Sequence, residues 1–297
     1  MYLMKNFIKS FGILLVLLFS TSLIAGLPVL DFPDLHSIVI FAPHPDDEAL
    51  IASGIIQSAL IRHIPVKVVV VTNGDVLGKT YGRYRQIETI KAMKVLGLSE
   101  ENIIFFGYGD RLMMPIFNSD NPKQVYKSRA RSTMSYASQG LGKVSYHKYW
   151  TNEEALYTRE NVVADFNQIL KTYNPDGIFT TSRLDKHPDH RAVQAFISES
   201  INYMIESNNS FHTKLYEAIV HAPGEFLWPY FDDEKIKMPK FLKNDSQIWT
   251  KQFISFEVPS VRVKRYAIHK YHSQLAYTPW LIDYAKLVEP FLVYSFE

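Results

Sequence analysis

"FAPHPDDEALIASG", residues 41–54, is the stretch on which the fold turns. An apolar run enters it, His-Pro-Asp-Asp-Glu interrupts it at residues 44–48, and apolar residues then resume at helical spacing. That order predicts a strand, a tight turn carrying one histidine and three carboxylates, and a helix. Carboxylates crowded inside a fold repel one another and lose hydration, so such a turn requires a cation among them.

Outward from the turn the chain alternates. Residues 36–41 and 66–72 read as buried strands, the second closed by Asn73-Gly74, and residues 48–64 carry apolar side chains at helical intervals. A helix over 82–98, with Gly97 as its stop signal, leads to a strand at 102–106. Strands alternating with helices imply parallel crossovers, hence a Rossmann-like α/β fold: a mostly parallel sheet flanked by helices, with its metal site at the carboxyl ends of the strands. Residues 111–156 break the rhythm; rich in Ser, Tyr, Lys and Arg, they read as an excursion over the edge or mouth of the sheet. The alternation returns with a helix over 158–173, a breaker at Asn174-Pro175, a strand at 176–181, a helix after His190 and a strand at 215–221. A Pro- and aromatic-rich segment follows at 221–241, whose aromatic part at 226–241 is a candidate grip on sugar or lipid, although such aromatics more often form core. With no internal repeat and no low-complexity linker, residues 31–297 read as one domain.

Residues 1–30 stand apart. Lys5 and Lys9 precede the apolar run 11–19, and small residues follow at 20–26, the layout of a signal peptide. The run from 11 to 30 also approaches the ~20 residues that span a bilayer, so a retained N-terminal membrane anchor is the other reading. Both place the rest of the chain outside the cytoplasm: exported to a periplasmic or extracellular space, or membrane-anchored with the catalytic domain outside. The formal net charge of +2 provides no field for nucleic acid as a main partner. Zero cysteines exclude disulfides and thiolate chemistry, so any metal must be held by imidazoles and carboxylates.

A second acid-histidine cluster, Asp185-Lys-His187-Pro188-Asp189-His190, follows the strand ending near Thr181. Two such clusters after strands of one sheet should face one crevice. Each contains His-Pro-Asp, whose proline stiffens the turn. Two histidines, one carboxylate and an open position describe a catalytic zinc site, and a carboxylate that is not a ligand would serve as general base. Spacing leaves open which aspartate binds metal. The structural alternative is that Asp47 and Asp189 merely cap helices.

These motifs resemble the zinc-dependent de-N-acetylase family of N-acetylglucosaminyl-phosphatidylinositol deacetylase and the LmbE-like proteins. The resemblance is carried by HPDDE at 44–48, VTNGD at 71–75, RQIETIKAMKVLG at 85–97, FFGYGD at 105–110, the stretch 157–180 and HPDH at 187–190, with a weaker echo at 264–275. It implies His44, Asp47 and His190 as ligands of Zn2+ and Asp46 as general base. His187 would stabilise the oxyanion or protonate the leaving amine, and Asp189 would orient His187. Arg85 matches an arginine at the pocket mouth suited to a substrate hydroxyl, phosphate or carboxylate; a helix-face pairing with Glu88 is its bland alternative. Glu48 would support the site. Where many relatives carry His-x-Ser-Gln, this chain has Tyr271 with His272 beside it, so no late histidine is counted as catalytic. Tyr108, Asp110 and His221 are candidates to line the pocket. The implied activity is removal of the N-acetyl group from an N-acetylglucosamine-type amino sugar in a glycan, glycolipid or glycoconjugate. The alternatives are an amidase acting on a non-acetyl amide and a non-catalytic carbohydrate-binding protein on the same fold.

Overall fold

The computed structural model describes residues 29–296 apart from 208–209, 226–227, 229–230 and 233–234, so most of the leader or anchor expected over 1–30 lies outside the described residues. The first strand, β1 (Val29–Leu30), joins the edge of the sheet beside a late strand at residues 253–257. These two residues cover part of an otherwise open strand edge. Then come β2 (Ile38–Ala42), α1 (Asp47–Ile61), β3 (Val66–Thr72), α2 (Lys79–Leu96) and β4 (Ile103–Tyr108). β2 is buried along its whole length, as its unbroken apolar composition requires of a central parallel strand. Gly97 ends α2 at φ 95, a left-handed position that glycine reaches without strain.

The excursion over 111–156 holds the short helices α3 (Met113–Phe117) and α4 (Tyr146–Thr151). α5 (Arg159–Tyr173) opens where the Thr158 side chain accepts from Asn161 N, and closes at left-handed Asn174. β5 (Gly177–Thr181), α6 (Pro188–Ser207) and β6 (Thr213–Ala218) complete the expected alternation. The remainder comprises a small hairpin of β7 (Phe231–Asp232) and β8 (Lys235–Ile236), then α7 (Ser246–Gln252), β9 (Phe253–Glu257), α8 (Val261–Ile268), α9 (His272–Leu275) and β10 (Val288–Phe296).

The main sheet runs β1-β9-β10-β6-β5-β2-β3-β4. β4, β3, β2, β5 and β6 are parallel neighbours, whereas β10 is antiparallel to both β6 and β9. Ile38 of β2 stands in register with Val66 of β3 on one side and Gly177 of β5 on the other. Chain progression therefore reverses between β2 and β5, which opens a crevice at their carboxyl ends. One face of the sheet buries residues of α1, α2 and α8, including Leu50, Ile55, Ala92 and Ala267; the other buries Phe166, Ile169, Phe196 and Ile197 of α5 and α6. No helix among the described residues is long and apolar enough to cross a membrane.

α1 is broken at Ala52 (φ −134, ψ 17). A buried ion pair occupies the break: Lys264 Nζ donates to Leu50 O at 2.8 Å and to Glu289 Oε1 at 2.6 Å, while Glu289 accepts from Gly54 N and Ile55 N. The backbone groups freed by the kink thus find charged partners.

Candidate metal and active site

Both acid-histidine turns reach the crevice, one from β2 into α1 and one from β5 into α6. His44 Nδ1, Asp47 Oδ2 and His190 Nε2 form a triangle with every side 3.2 Å. Ligands about 2.0 Å from a tetrahedral zinc stand roughly 3.3 Å apart, so this triangle fits one face of such a coordination sphere. The nitrogen and oxygen donor set suits the same ion. His187 belongs to the same cluster, with a ring nitrogen within 4.8 Å of those of His44 and His190, but its Nδ1 accepts from Asp189 N.

Outer contacts aim the ligands. Asp189 Oδ2 lies 3.2 Å from His44 Nε2, and Asp185 Oδ2 lies 3.2 Å from His190 Nδ1. Each histidine therefore has a carboxylate oxygen 3.2 Å from the ring nitrogen that faces away from the triangle, the place where metal-ligating imidazoles usually have one; the Asp185 oxygen stands off the donor direction of His190 Nδ1. His44 N also donates to Asp47 Oδ2 at 3.0 Å, which folds the first turn onto itself. The capping alternative fails at the first turn, since Asp46 precedes α1 without any side-chain cap bond and the Asp47 carboxylate points into the triangle.

Electrostatics separate the two aspartates. Burial pushes the Asp47 carboxyl up, but the His190 and His44 imidazoles outweigh it and hold Asp47 well below the usual carboxylate range. Burial pushes Asp46 up to about 8; the Arg85 guanidinium opposes this shift and the Asp47 carboxylate adds to it. Burial and the neighbouring His44 and His190 lower His187 to about 3.

Asp46 sits at φ 130, a backbone region costly for any residue with a Cβ. Its amide donates to Glu48 Oε2 at 3.1 Å, and Glu48 Oε1 accepts from the fully buried Tyr271 hydroxyl. The residue standing in the late histidine's place thus braces the first turn from beneath, and exposed His272 is not among the pocket residues.

Two expected contacts are built differently. The Asp189 carboxylate reaches His44, together with the amides of Arg111 and Met113, and only its backbone N–H meets His187. The reason is the main-chain turn at 111–113, which wraps the carboxylate. Arg85 lines the pocket but is only 5% exposed, its guanidinium donating to Pro45 O at 2.5 Å, Gly74 O at 3.2 Å and Asp46 Oδ2 at 3.3 Å. Nor does it pair with Glu88, which accepts from Ser273 instead. Gly74 (φ 56) makes room for it, because a Cβ there would collide with the guanidinium.

Asp110 and His221 line the pocket, and Asp110 Oδ1 stands 3.5 Å from His44 Nε2. Tyr108 is buried away from it, its hydroxyl on Asp165. Gln274, Thr278 and Leu281 line the pocket as well. Asp185, visible in the second cluster but without an expected role, also accepts from His187 N, Val220 N and His221 N, tying the segment after β6 to the second turn.

A metal-fitting His-Asp-His triangle with a buried carboxylate beside it, set at the switch point of an α/β sheet, defines an enzyme site of the metal-assisted kind. Residues 39–201, more than half of the chain, match the family model described as PIG-L: GlcNAc-PI de-N-acetylase. The chain belongs to this family and is a de-N-acetylase enzyme. No curated protein sequence matches it. Among solved structures it is similar in fold to N,N'-diacetylchitobiose deacetylase from Pyrococcus horikoshii, with 18% identity and TM-score 0.52, covering 88% of this chain and 84% of that one. It is likewise similar to the conserved protein TT1542 from Thermus thermophilus (16% identity, TM-score 0.53, 87% and 94% covered). The 4-carboxy-2-hydroxymuconate hydratase GalB from Pseudomonas putida shares the fold too (13% identity, TM-score 0.51, 88% and 96% covered). The fold alone thus carries more than one chemistry.

Proposed function

We propose that the enzyme is a zinc-dependent hydrolase that removes the N-acetyl group of an N-acetylglucosamine-type amino sugar. The observation that carries this reading is the 3.2 Å triangle of His44, Asp47 and His190 opening onto the pocket that Asp46 and His187 also line. A divalent cation held by these three residues, zinc by its donor set, would supply Lewis acidity and lower the pKa of a water towards neutrality. Asp46 takes the proton of the attacking water; Arg85 and the Glu48 carboxylate fix its side chain and its amide. His187, neutral and with its Nδ1 accepting from Asp189 N, presents its Nε2–H to the carbonyl oxygen as negative charge develops there, and the proton that Asp46 took from the water passes to the departing amine. Asp189 serves by holding His44 and the turn at 111–113.

The apolar stretch after Lys5 and Lys9 supports action outside the cytoplasm, on an exported or anchored amino-sugar conjugate. The test is acetate release by the zinc-loaded chain from N-acetylglucosamine and its conjugates, beside Asp46→Asn. The expected result is release that the substitution abolishes while zinc stays bound. Full activity in Asp46→Asn would remove Asp46 as base, and no acetate from any N-acetylated sugar would overturn the substrate class.

A further inference from the structure

Two arginines line the pocket, and they are used differently. Arg85 is buried and spends its guanidinium on Pro45 O, Gly74 O and Asp46. Arg111 is exposed, and among the described residues no oxygen or ring takes its guanidinium. Its backbone, by contrast, is tightly held. Arg111 sits at φ 65, in the left-handed region that a non-glycine residue enters only when its surroundings enforce it. The enforcing contacts are buried carboxylates on both sides: Asp75 Oδ1 accepts from Asp110 N at 2.9 Å, and Asp189 accepts from Arg111 N at 2.6 Å and Met113 N at 3.1 Å. The fold therefore anchors the main chain of this arginine to the group that orients His44, and leaves its charge turned to the pocket unneutralised.

The surrounding charges do not cancel it. The pocket carboxylates are engaged within the site: Asp46 with Arg85, Asp47 with both histidines, and Asp110 with His44. In the adjoining cavity, which shares His187 and His221, Lys186 is exposed, and Glu225 already accepts from Lys240 N. The entrance thus offers a planar donor fork with nothing to bind, the geometry suited to a phosphate or carboxylate.

We propose that Arg111 is a specificity-determining residue that binds an anionic group, phosphate or carboxylate, carried by the amino-sugar substrate next to its acetamido unit. The proposal rests on the amino-sugar reading above and names the substrate class within it. It also moves anion recognition, expected of Arg85, to a residue outside the resemblance.

The test compares kcat/KM of the zinc-loaded full chain for N-acetylglucosamine with that for its 1-phosphate, its 6-phosphate and N-acetylmuramic acid; the phosphates and the carboxylate separate the two sources of charge. Wild type is expected to favour at least one anionic substrate by about tenfold, the size of one charge-assisted contact. Arg111→Gln is expected to erase that preference through KM, Arg111→Lys to keep part of it, and Lys186→Gln, with the same change of net charge, to lower it far less. No anionic preference in wild type, a preference unchanged in Arg111→Gln, or an equal loss in Lys186→Gln would each overturn it. If wild type deacetylates nothing, the proposed function fails, and calorimetry on the Asp46→Asn background decides the subsite separately. Tighter binding of an anionic sugar that disappears with Arg111→Gln sustains it; equal or absent binding overturns it.

Discussion

His44 Nε2 lies 3.2 Å from Asp189 Oδ2, so the second acid-histidine turn sets the ring of the first. The contact leaves Nδ1 as the nitrogen that faces Asp47 and His190, and it couples loops 145 residues apart. A carboxylate behind a ligating imidazole raises its basicity and fixes its tautomer, and losing one typically lowers metal affinity about 10–100-fold. Asp189→Asn is therefore expected to weaken zinc binding by that order, read by chelator competition, with the fold retained. Unchanged affinity would mean that Asp110, the other carboxylate beside His44 Nε2, orients the ring by itself.

Asp46 depends on a second chain of contacts. Glu48 accepts from its strained amide, and Tyr271 donates to Glu48. Tyr271→Phe removes that donor and leaves a buried carboxylate short of a partner, at about 1–3 kcal/mol of stability. Because a small misplacement of a catalytic group slows turnover steeply, kcat should also fall about tenfold while zinc content stays at the wild-type level. A kcat that holds steady despite the lost stability would show that Glu48 positions Asp46 unaided.

The broken helix α1 supplies the third expectation. Lys264 is 1% exposed and Glu289 is 2% exposed, and together they serve the Leu50 carbonyl and the Gly54 and Ile55 amides. Lys264→Met leaves Glu289 buried and uncompensated, a loss of about 3–5 kcal/mol by the usual cost of breaking such a pair. The double change Lys264→Met with Glu289→Leu removes both charges and should recover part of that, though the two amides still lose their acceptor. Denaturant unfolding of both variants measures this difference; a double variant less stable than the single would contradict it.

The early half of the fold is legible in the chain because β2, β3 and β4 are nearly continuous runs of Val, Ile and Phe between strong turn signals, and the two His-Pro-Asp turns mark where a crevice must lie. β9 and β10 are not. β10 carries Pro290, which argues against a strand in the middle of a sheet; it is tolerated because β6 pairs only from Leu292 onward, so Pro290 has a partner strand on one side alone. In the site, residue types and spacing identify the turns as a place for metal. They do not reveal side-chain directions, which tertiary packing decides: Asp189 turns to His44, Arg85 is consumed by the first turn, and Arg111 stays exposed. The Lys264–Glu289 pair joins residues that no short pattern links to α1.

Buried tyrosines give a pH limit that does not involve the metal site. Burial raises Tyr216 to about 12, and burial first and the Asp165 carboxylate second raise Tyr108 well above the usual 10.0. Tyr216 is stacked on Phe179 with ring centroids 4.4 Å apart, and Tyr108 is fully buried, so neither can ionise without leaving the core. A group whose folded pKa is raised binds more protons in the native state than in the unfolded chain over the window between the two values. Stability is therefore fully present below about pH 10, the ordinary tyrosine value, and falls as pH rises towards 12. Tyrosinate absorbance and unfolding should rise together across that window, with Tyr216→Phe shifting the transition to higher pH. Full ionisation of every tyrosine while the backbone circular dichroism stays native would overturn the assignment of these two rings to the core.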